Sequence, residues 1–544
     1  MKPVYFKSWV AAWPWAARIG LFMMLLSALV QLGMFVLTQG YMVAYLGAQP
    51  EDISFAVMCT YAGIITVIPV QFRFFRYFQT RSYLLVNMML AIALNFLCLQ
   101  CRDVDQFLAI RFLQGIVSGG IIVFTLHLIM SRLSSDRVQT IAPAVFYGTM
   151  LSNTVLIGLV SGVVVESADW RSTYYYLIAF QAMMLLMMLV MLKRTSGHRP
   201  YPLYQIDWPG MLIFACAAVA VAYTTIYGSK YYWFTDRRIC YGAAVSAVCI
   251  ALFLYRLHTA RRPAIHLSIF KSRNFVLGVC LLAIYYGSKD SVNLIFNYAG
   301  GTLKWSTLQI IGLGACNMAG MVGALVFSGQ MLLAKKLTIR TLLTAGFTLM
   351  AAFNLWMCFL LTPDLAFSDL LPPILAQGAS SGLLFVPIMI FVLSSAPKNT
   401  GASALVVAAY TRFTATLHSI AGFYNLQLYF NQYFKEKLLT YLTSDSPNMA
   451  ERLTYYRSVY LAKGFTPGQS ATLADAAIWQ SLTQQSQLLT HRALFMIFAI
   501  LAAVLVLLIV AVPAIHRTIL HWNYKPHVRQ YLPIPQAAPK STNV

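Results

Sequence analysis

Four ionisable side chains stand inside stretches that are otherwise apolar: Arg111, Lys289, Asp290 and Arg412. An ion held far from water costs about 2.5–3.5 kcal/mol on insertion scales, so each must face a cavity or a partner, and each is a candidate for work. Asp290 is the one carboxylate set well inside such a stretch, which makes it the candidate proton carrier; a fixed ion pair with a cation such as Arg412 is the alternative. Arg412 is too deep to reach water easily, so it reads as a substrate or anion contact or as a conformational switch, against a structural role on nearby carbonyls. Arg111 is placed about one turn from its boundary, where it either serves the pathway or extends to the headgroups. Lys289 and Asp290 are adjacent, about 100° apart on a continuous helix, and are not expected to pair.

Uncharged polar residues extend this set. Gln114 and Gln377 are candidate substrate contacts, Gln31 is a polar residue of the first stretch, and His418 is either a proton relay or a structural histidine. Cys98 and Cys101 form a lone CxxC, read as small buried apolar groups because a redox or metal site needs more ligands.

The elements that must position these residues follow from composition. The 544 residues are 59% hydrophobic and only 10% charged, against about 45–50% and about 25% in soluble proteins. Lipid must therefore be the solvent for most of the chain. Fourteen apolar spans fall near 18–40, 53–72, 83–100, 107–131, 139–166, 172–192, 208–228, 239–256, 274–298, 307–331, 340–361, 369–395, 402–428 and 491–515. They read as helices, since backbone groups in hydrocarbon need partners within their own segment. The fold class is an all-α polytopic membrane protein.

Lys and Arg number 39 against 16 Asp and Glu, a net charge of +23. With the N-terminus inside, 24 of the 39 fall in inner segments, so the positive-inside rule places both termini in the cytoplasm. The excess charge reports orientation beside membrane lipids and excludes nucleic acid as the leading partner. The first span is too long for a signal-peptide core and reads as an uncleaved anchor.

The chain repeats itself. Gln114-Gly115-Ile116-Val117-Ser118-Gly119 and Gln377-Gly378-Ala379-Ser380-Ser381-Gly382 both read QGxxSG, 263 residues apart, and Arg81 and Arg340 open matching inner segments 259 residues apart. Each QGxxSG contains GxxxG, in which Gly115 and Gly119, or Gly378 and Gly382, let helices approach closely. Two parallel six-helix halves around a two-helix insert explain both offsets, as in two-bundle transporters. The boundaries are 1–192 for the N-terminal bundle, 193–272 for the insert, and 273–515 for the C-terminal bundle with an outer loop at 429–490. Residues 516–544 form a cytoplasmic tail, read as disordered. Within the loop, Asn448 with Glu451 and Thr466-Pro467-Gly468-Gln469 mark two helix starts, the second running into the last span as an outer hairpin.

These segments resemble the major facilitator superfamily, specifically its 14-helix drug:proton antiporter branch. Arg111-Phe112-Leu113-Gln114-Gly115 is similar to the RxxQG signature of helix four, Asp169-Trp170-Arg171 to the [GHD]WR at helix six, and Arg412 stands where the branch commonly carries an arginine. The loop after helix two keeps Arg73, Arg76 and Arg81 but not the family's glycines and aspartate, and only Gly162 aligns with the helix-five antiporter signature. The resemblance implies a multidrug-type exporter of amphipathic or lipophilic small molecules working by alternating access with proton antiport. It also implies a cytoplasmic (inner) membrane location if bacterial and a periplasmic adaptor protein as a partner. A facilitator or proton symporter of the same fold is the alternative, and a non-transporting scaffold or receptor a further one. The sequence carries no HExxH, GxSxG or P-loop and no paired metal spacing, so neither an enzyme nor a cofactor or metal is expected.

Overall fold

The computed structural model describes residues 5–33, 39–132, 141, 144–146, 148–150, 153, 156–157, 160, 164, 171–194, 203–260, 262–397, 400–443 and 446–512. The described residues are helical apart from turns and one bridge between Phe6 and Leu192. After a short turn at Ser8–Ala12, the N-terminal part holds α1 (Pro14–Gly33), α2 (Gln39–Leu46), α3 (Pro50–Tyr77), α4 (Thr80–Gln100), α5 (Val104–Arg132) and α6 (Ser172–Met191). Then come α7 (Trp208–Tyr227) and α8 (Arg237–Thr259). The C-terminal part holds α9 (Arg273–Lys289), α10 (Val292–Gly301), α11 (Thr307–Leu333), α12 (Ile339–Leu360), α13 (Phe367–Ser395), α14 (Gly401–Leu417), α15 (Phe423–Leu439), α16 (Pro447–Ala462) and α17 (Pro467–Ala511). Eleven helices among the described residues are long and apolar enough to cross a membrane. Most of the expected fifth span, Gly162 and Asp169-Trp170 with it, and the tail at 516–544 lie outside the described residues.

The repeat is visible as packing. In the first half α3 lies along α5, and in the second α11 lies along α13. A Cβ at Gly115 would meet the Thr60 carbonyl oxygen at 2.1 Å, and one at Gly378 would meet the Asn317 carbonyl oxygen at 2.0 Å. The second glycines are also crowded, though differently: a Cβ on Gly119 would strike the Val67 side chain at 2.6 Å, and one on Gly382 the Met321 carbonyl oxygen at 2.3 Å. On the facing helices Gly63 and Gly320 are pressed in the same way, on the carbonyls of Phe112 and Leu375. Only a missing side chain permits such backbone approach, which is how helices associate where lipid supplies no hydrophobic drive.

Helices α7 and α8 pack on each other and reach elements that precede and follow them in the chain. Helix α7 touches both α3 and α14, with Phe214 stacked on Tyr410 at 4.3 Å and the Tyr227 hydroxyl donating to Asp52 at 2.5 Å. Asp207 pairs with Arg256 at 2.9 Å, closing α7 against α8.

The expected loop at 429–490 begins later than its sequence suggests, because α14 passes through a π-turn at His418–Gly422 directly into α15. At the far side, Thr466 and Gln469 exchange the expected capping bonds at 3.1 and 3.4 Å, and α17 then runs unbroken for 45 residues, roughly 67 Å at 1.5 Å per residue. The helix before it starts at Pro447 with Ser446 ahead of it, not at Asn448. Helices α15 and α16 both pack on α17. The Tyr424 side chain of α15 bonds Glu51 in the first turn of α3.

Candidate functional site

Helix α9 and helix α10 are the two pieces of one expected span, 274–298, and the break between them is where the polar residues gather. The chain leaves helical bonding at Lys289, Asp290 caps the helix with φ −75° and ψ −2°, and α10 starts at Val292. A continuous helix would hold the side chains of Lys289 and Asp290 apart; the turn brings them together as an ion pair. The expectation that they do not pair is therefore corrected. The break also frees backbone groups, and the Gln377 amide donates to the Lys289 carbonyl at 2.6 Å. Gln377 is itself held by the Asn317 amide, which also donates to the Ile374 carbonyl at 3.0 Å. Just past the break, Ser291 is fully buried and its hydroxyl has no partner among the described residues.

Arg412 reaches this region from α14. Its guanidinium donates to the Tyr61 hydroxyl of α3 at 3.0 Å and contacts the Met150 sulfur. The faces of Tyr61 and Tyr286 lie 5.6 Å from its central carbon, in reach of cation–π attraction. Tyr286 sits one helical turn before Asp290 on α9. Thus a second-half cation is held by first-half groups at the seam, beside the break that carries Lys289 and Asp290.

Arg111 and Gln114 form a separate cluster. Arg111 is fully buried, so the expectation that it extends to the headgroups is corrected. Its helix begins at Val104, three residues earlier than expected, which puts Arg111 about two turns in. The guanidinium donates to the Gln114 side-chain oxygen at 2.8 Å. The Gln114 amide donates to Asn95 at 3.0 Å and to the Cys98 sulfur at 3.3 Å, and Asn95 donates to Gln181 at 2.7 Å. The chain of bonds joins α4, α5 and α6 inside the first half.

A family model described as Major Facilitator Superfamily matches residues 19–422. The chain belongs to the Major Facilitator Superfamily. It is an integral membrane protein of that superfamily, and curated relatives within it include the multidrug export proteins EmrB of Haemophilus influenzae, 24% identical over 62% of this chain and 66% of that one, and of Escherichia coli K12, 23% identical over 62% and 65%. The chain spans just under two thirds of the length of these relatives. The probable multidrug resistance protein EmrY of Escherichia coli K12 is 22% identical over 70% and 72%. Among solved structures, a POT family transporter in complex with a thioalcohol-conjugated peptide gives a TM-score of 0.56 at 12% identity, over 90% of this chain and 95% of that one. A peptide transporter of the same kind gives 0.56 at 15%, over 92% and 95%. At such identities these likenesses concern the fold alone, and the superfamily fold is what they share with this chain.

The remaining sequence candidates of this superfamily member divide as follows. Arg81 donates to the Leu189 carbonyl at 3.3 Å, anchoring the start of α4 on the end of α6. Arg340 is half-buried in the first turn of α12. Gln31 lies on α1, its side chain outside the described residues. His418 is exposed at the π-turn, its ring against Gly422 and edge-on to Phe423 at 6.3 Å, and it is not brought to the seam. Arg171 donates to the Tyr45 hydroxyl at 2.6 Å. Sequence reading missed Tyr61, Met150, Asn95 and Gln181, none of which carries a motif or a charge to mark it.

Proposed function

We propose that this protein is a secondary transporter that exports amphipathic or lipophilic small molecules by alternating access, coupled to inward proton movement. The observation that carries this reading is the seam itself: Arg412 of one half held by Tyr61 and Met150 of the other, next to a broken helix bearing Lys289 and Asp290. A contact made by two halves that rock against each other is made in one arrangement and lost in another, so a ligand or proton that binds there favours one arrangement over the other. Tyr61, Tyr286 and Met150 supply apolar surface, Gln377 and Arg412 polar contacts, and Asp290 exchanges the proton with Lys289 as its counter-charge. The multidrug export relatives support the substrate class. Both termini are taken as cytoplasmic, on the distribution of Lys and Arg, and α15, α16 and the start of α17 then lie outside, available to a partner protein.

The test is flux of lipophilic probes in liposomes under an imposed inward proton gradient. Gradient-driven flux is expected from the native chain and is expected to fall at least about tenfold in Asp290→Asn. Undiminished flux in that variant moves the proton carrier elsewhere. A second reading, an uncoupled facilitator, is favoured by the incomplete antiporter signatures, in which the loop after helix two keeps Arg73, Arg76 and Arg81 without the glycines and aspartate; flux indifferent to the gradient would select it.

A further inference from the structure

We infer that His491 is a second proton-binding site, distinct from Asp290, and that its neutral imidazole latches α15 to α17 until a proton releases it. His491 lies on α17 and is 7% exposed. Its Nδ1 is 2.7 Å from the Gln487 carbonyl oxygen, one turn back on the same helix. A carbonyl can only accept, so Nδ1 carries the hydrogen and Nε2 is left as an acceptor. Facing Nε2 at 3.3 Å is the side-chain nitrogen of Gln427 on α15, which donates. Both ring nitrogens are thus satisfied by one tautomer of the neutral ring. A proton on Nε2 sets two donors against each other across the contact.

Several elements are fastened at this point. Asn431, one turn after Gln427, accepts from the fully buried Ser486 of α17 at 2.8 Å. Thr302, which caps the end of α10, donates to the Gln487 side chain at 2.7 Å, and the Tyr298 ring of α10 lies 5.1 Å from the imidazole. Because α10 starts at the Lys289–Asp290 break, a change at His491 bears on α15 directly and on the broken helix through α10. The charges nearby do not offset an imidazolium. Arg492 follows it in sequence, donating to the Leu361 carbonyl at 2.6 Å. Asp364, beyond the end of α12, and Arg492 are the charges felt at Tyr298. On α15 the facing groups are the neutral Gln427 and Asn431; Tyr424, one turn earlier, is engaged with Glu51, and Lys435, Glu436 and Lys437 lie two turns or more further along. Glu451, Arg452 and Arg457 of α16 are exposed, as is His418 at the π-turn. Among the described residues no carboxylate is within ion-pair reach of His491. A buried charge without such a partner is costly, so the protonated ring favours an arrangement in which α15 withdraws and water enters.

The experiment is amide hydrogen exchange of α15, read by mass spectrometry on the full chain in detergent. It is run at about pH 5.5 and about pH 8, either side of the ordinary histidine range, and corrected for the intrinsic pH dependence of exchange, with α4 as internal control. The native α15 is expected to exchange about tenfold faster at the acidic pH, as a locally opened element does, while α4 does not respond. In His491→Gln the pH difference is expected to vanish. Gln427→Glu gives the imidazolium an acceptor, so there acid is expected to slow exchange in α15. A native α15 indifferent to pH overturns the inference, as does a response retained in His491→Gln. Slower exchange of the native α15 in acid also overturns it, since the Gln427 amide would then be turning its oxygen to the charged ring. Should His491→Gln not fold, the native response and the sign in Gln427→Glu decide. Probe flux in liposomes separates this inference from the transport reading. An α15 that opens in acid in a chain that moves no probe removes the transport reading alone, whereas gradient-driven flux through a chain whose α15 ignores pH removes the latch alone.

Discussion

Gln114 and Gln377 open the same QGxxSG motif on equivalent helices, each followed by a glycine pressed on a neighbour's carbonyl, yet they do different things. Gln114 is enclosed in the first half, linking Arg111, Asn95 and Cys98. Gln377 bonds the carbonyl of Lys289 exposed by a helix break beside the Lys289–Asp290 ion pair. The backbone packing recurs in the two helix pairs, whereas their polar side chains are not used alike. In the first half the glutamine and the buried arginine hold three helices together; in the second the glutamine holds a broken helix next to the Lys289–Asp290 pair.

That contrast can be broken at several points. The largest effect is expected where the halves are alike: Gly115→Ala and Gly378→Ala each push a methyl into a backbone carbonyl and should cost about 3 kcal/mol, read as a lower unfolding midpoint in detergent. Gly323→Ala, with open space around its Cβ position, should leave the midpoint unchanged. A large loss at one glycine and none at the other would end the equivalence of the scaffolds. Next, Gln114→Ala should cost about 2 kcal/mol of stability by leaving buried partners unsatisfied, whereas Gln377→Ala should lose more flux than stability. Equal stability and flux profiles for the two would erase the difference in use. Smaller still, Tyr227→Phe removes one hydrogen bond from insert to first half and should cost about 1 kcal/mol. Smallest, His418→Ala should shift stability by under about 0.5 kcal/mol and leave flux intact; a marked flux loss would return His418 to the pathway.

The sequence made the repeat, the packing glycines and the embedded charges legible because each has a signal at fixed spacing or a cost that composition exposes. The helix break at Lys289 was not legible: the stretch stays apolar through 298 and holds no proline, and Gly287 is a weak marker inside a helix that already tolerates glycines. The pairing of Lys289 with Asp290 was misread for that reason alone. The depth of Arg111 was misjudged because a boundary error of three residues is nearly a full turn. The partners of Arg412 come from α3 and from Met150, some 350 and 260 residues away in the chain, and only tertiary packing unites them. Asn95 and Gln181 satisfy each other inside the bundle, and a lone amide in an apolar run does not announce whether its mate is a neighbour or a ligand.

The claim on which the account rests is that the two halves move against each other across the seam. Glu51 of α3 and Tyr424 of α15 meet across it, so the most direct measurement is probe flux through a Glu51→Cys/Tyr424→Cys protein joined by a cleavable bismaleimide, with the native chain treated identically. The joined protein is expected to carry no probe, cleavage of the linker to restore flux, and the treated native chain to be unaffected. Full flux through protein that is quantitatively joined would contradict it.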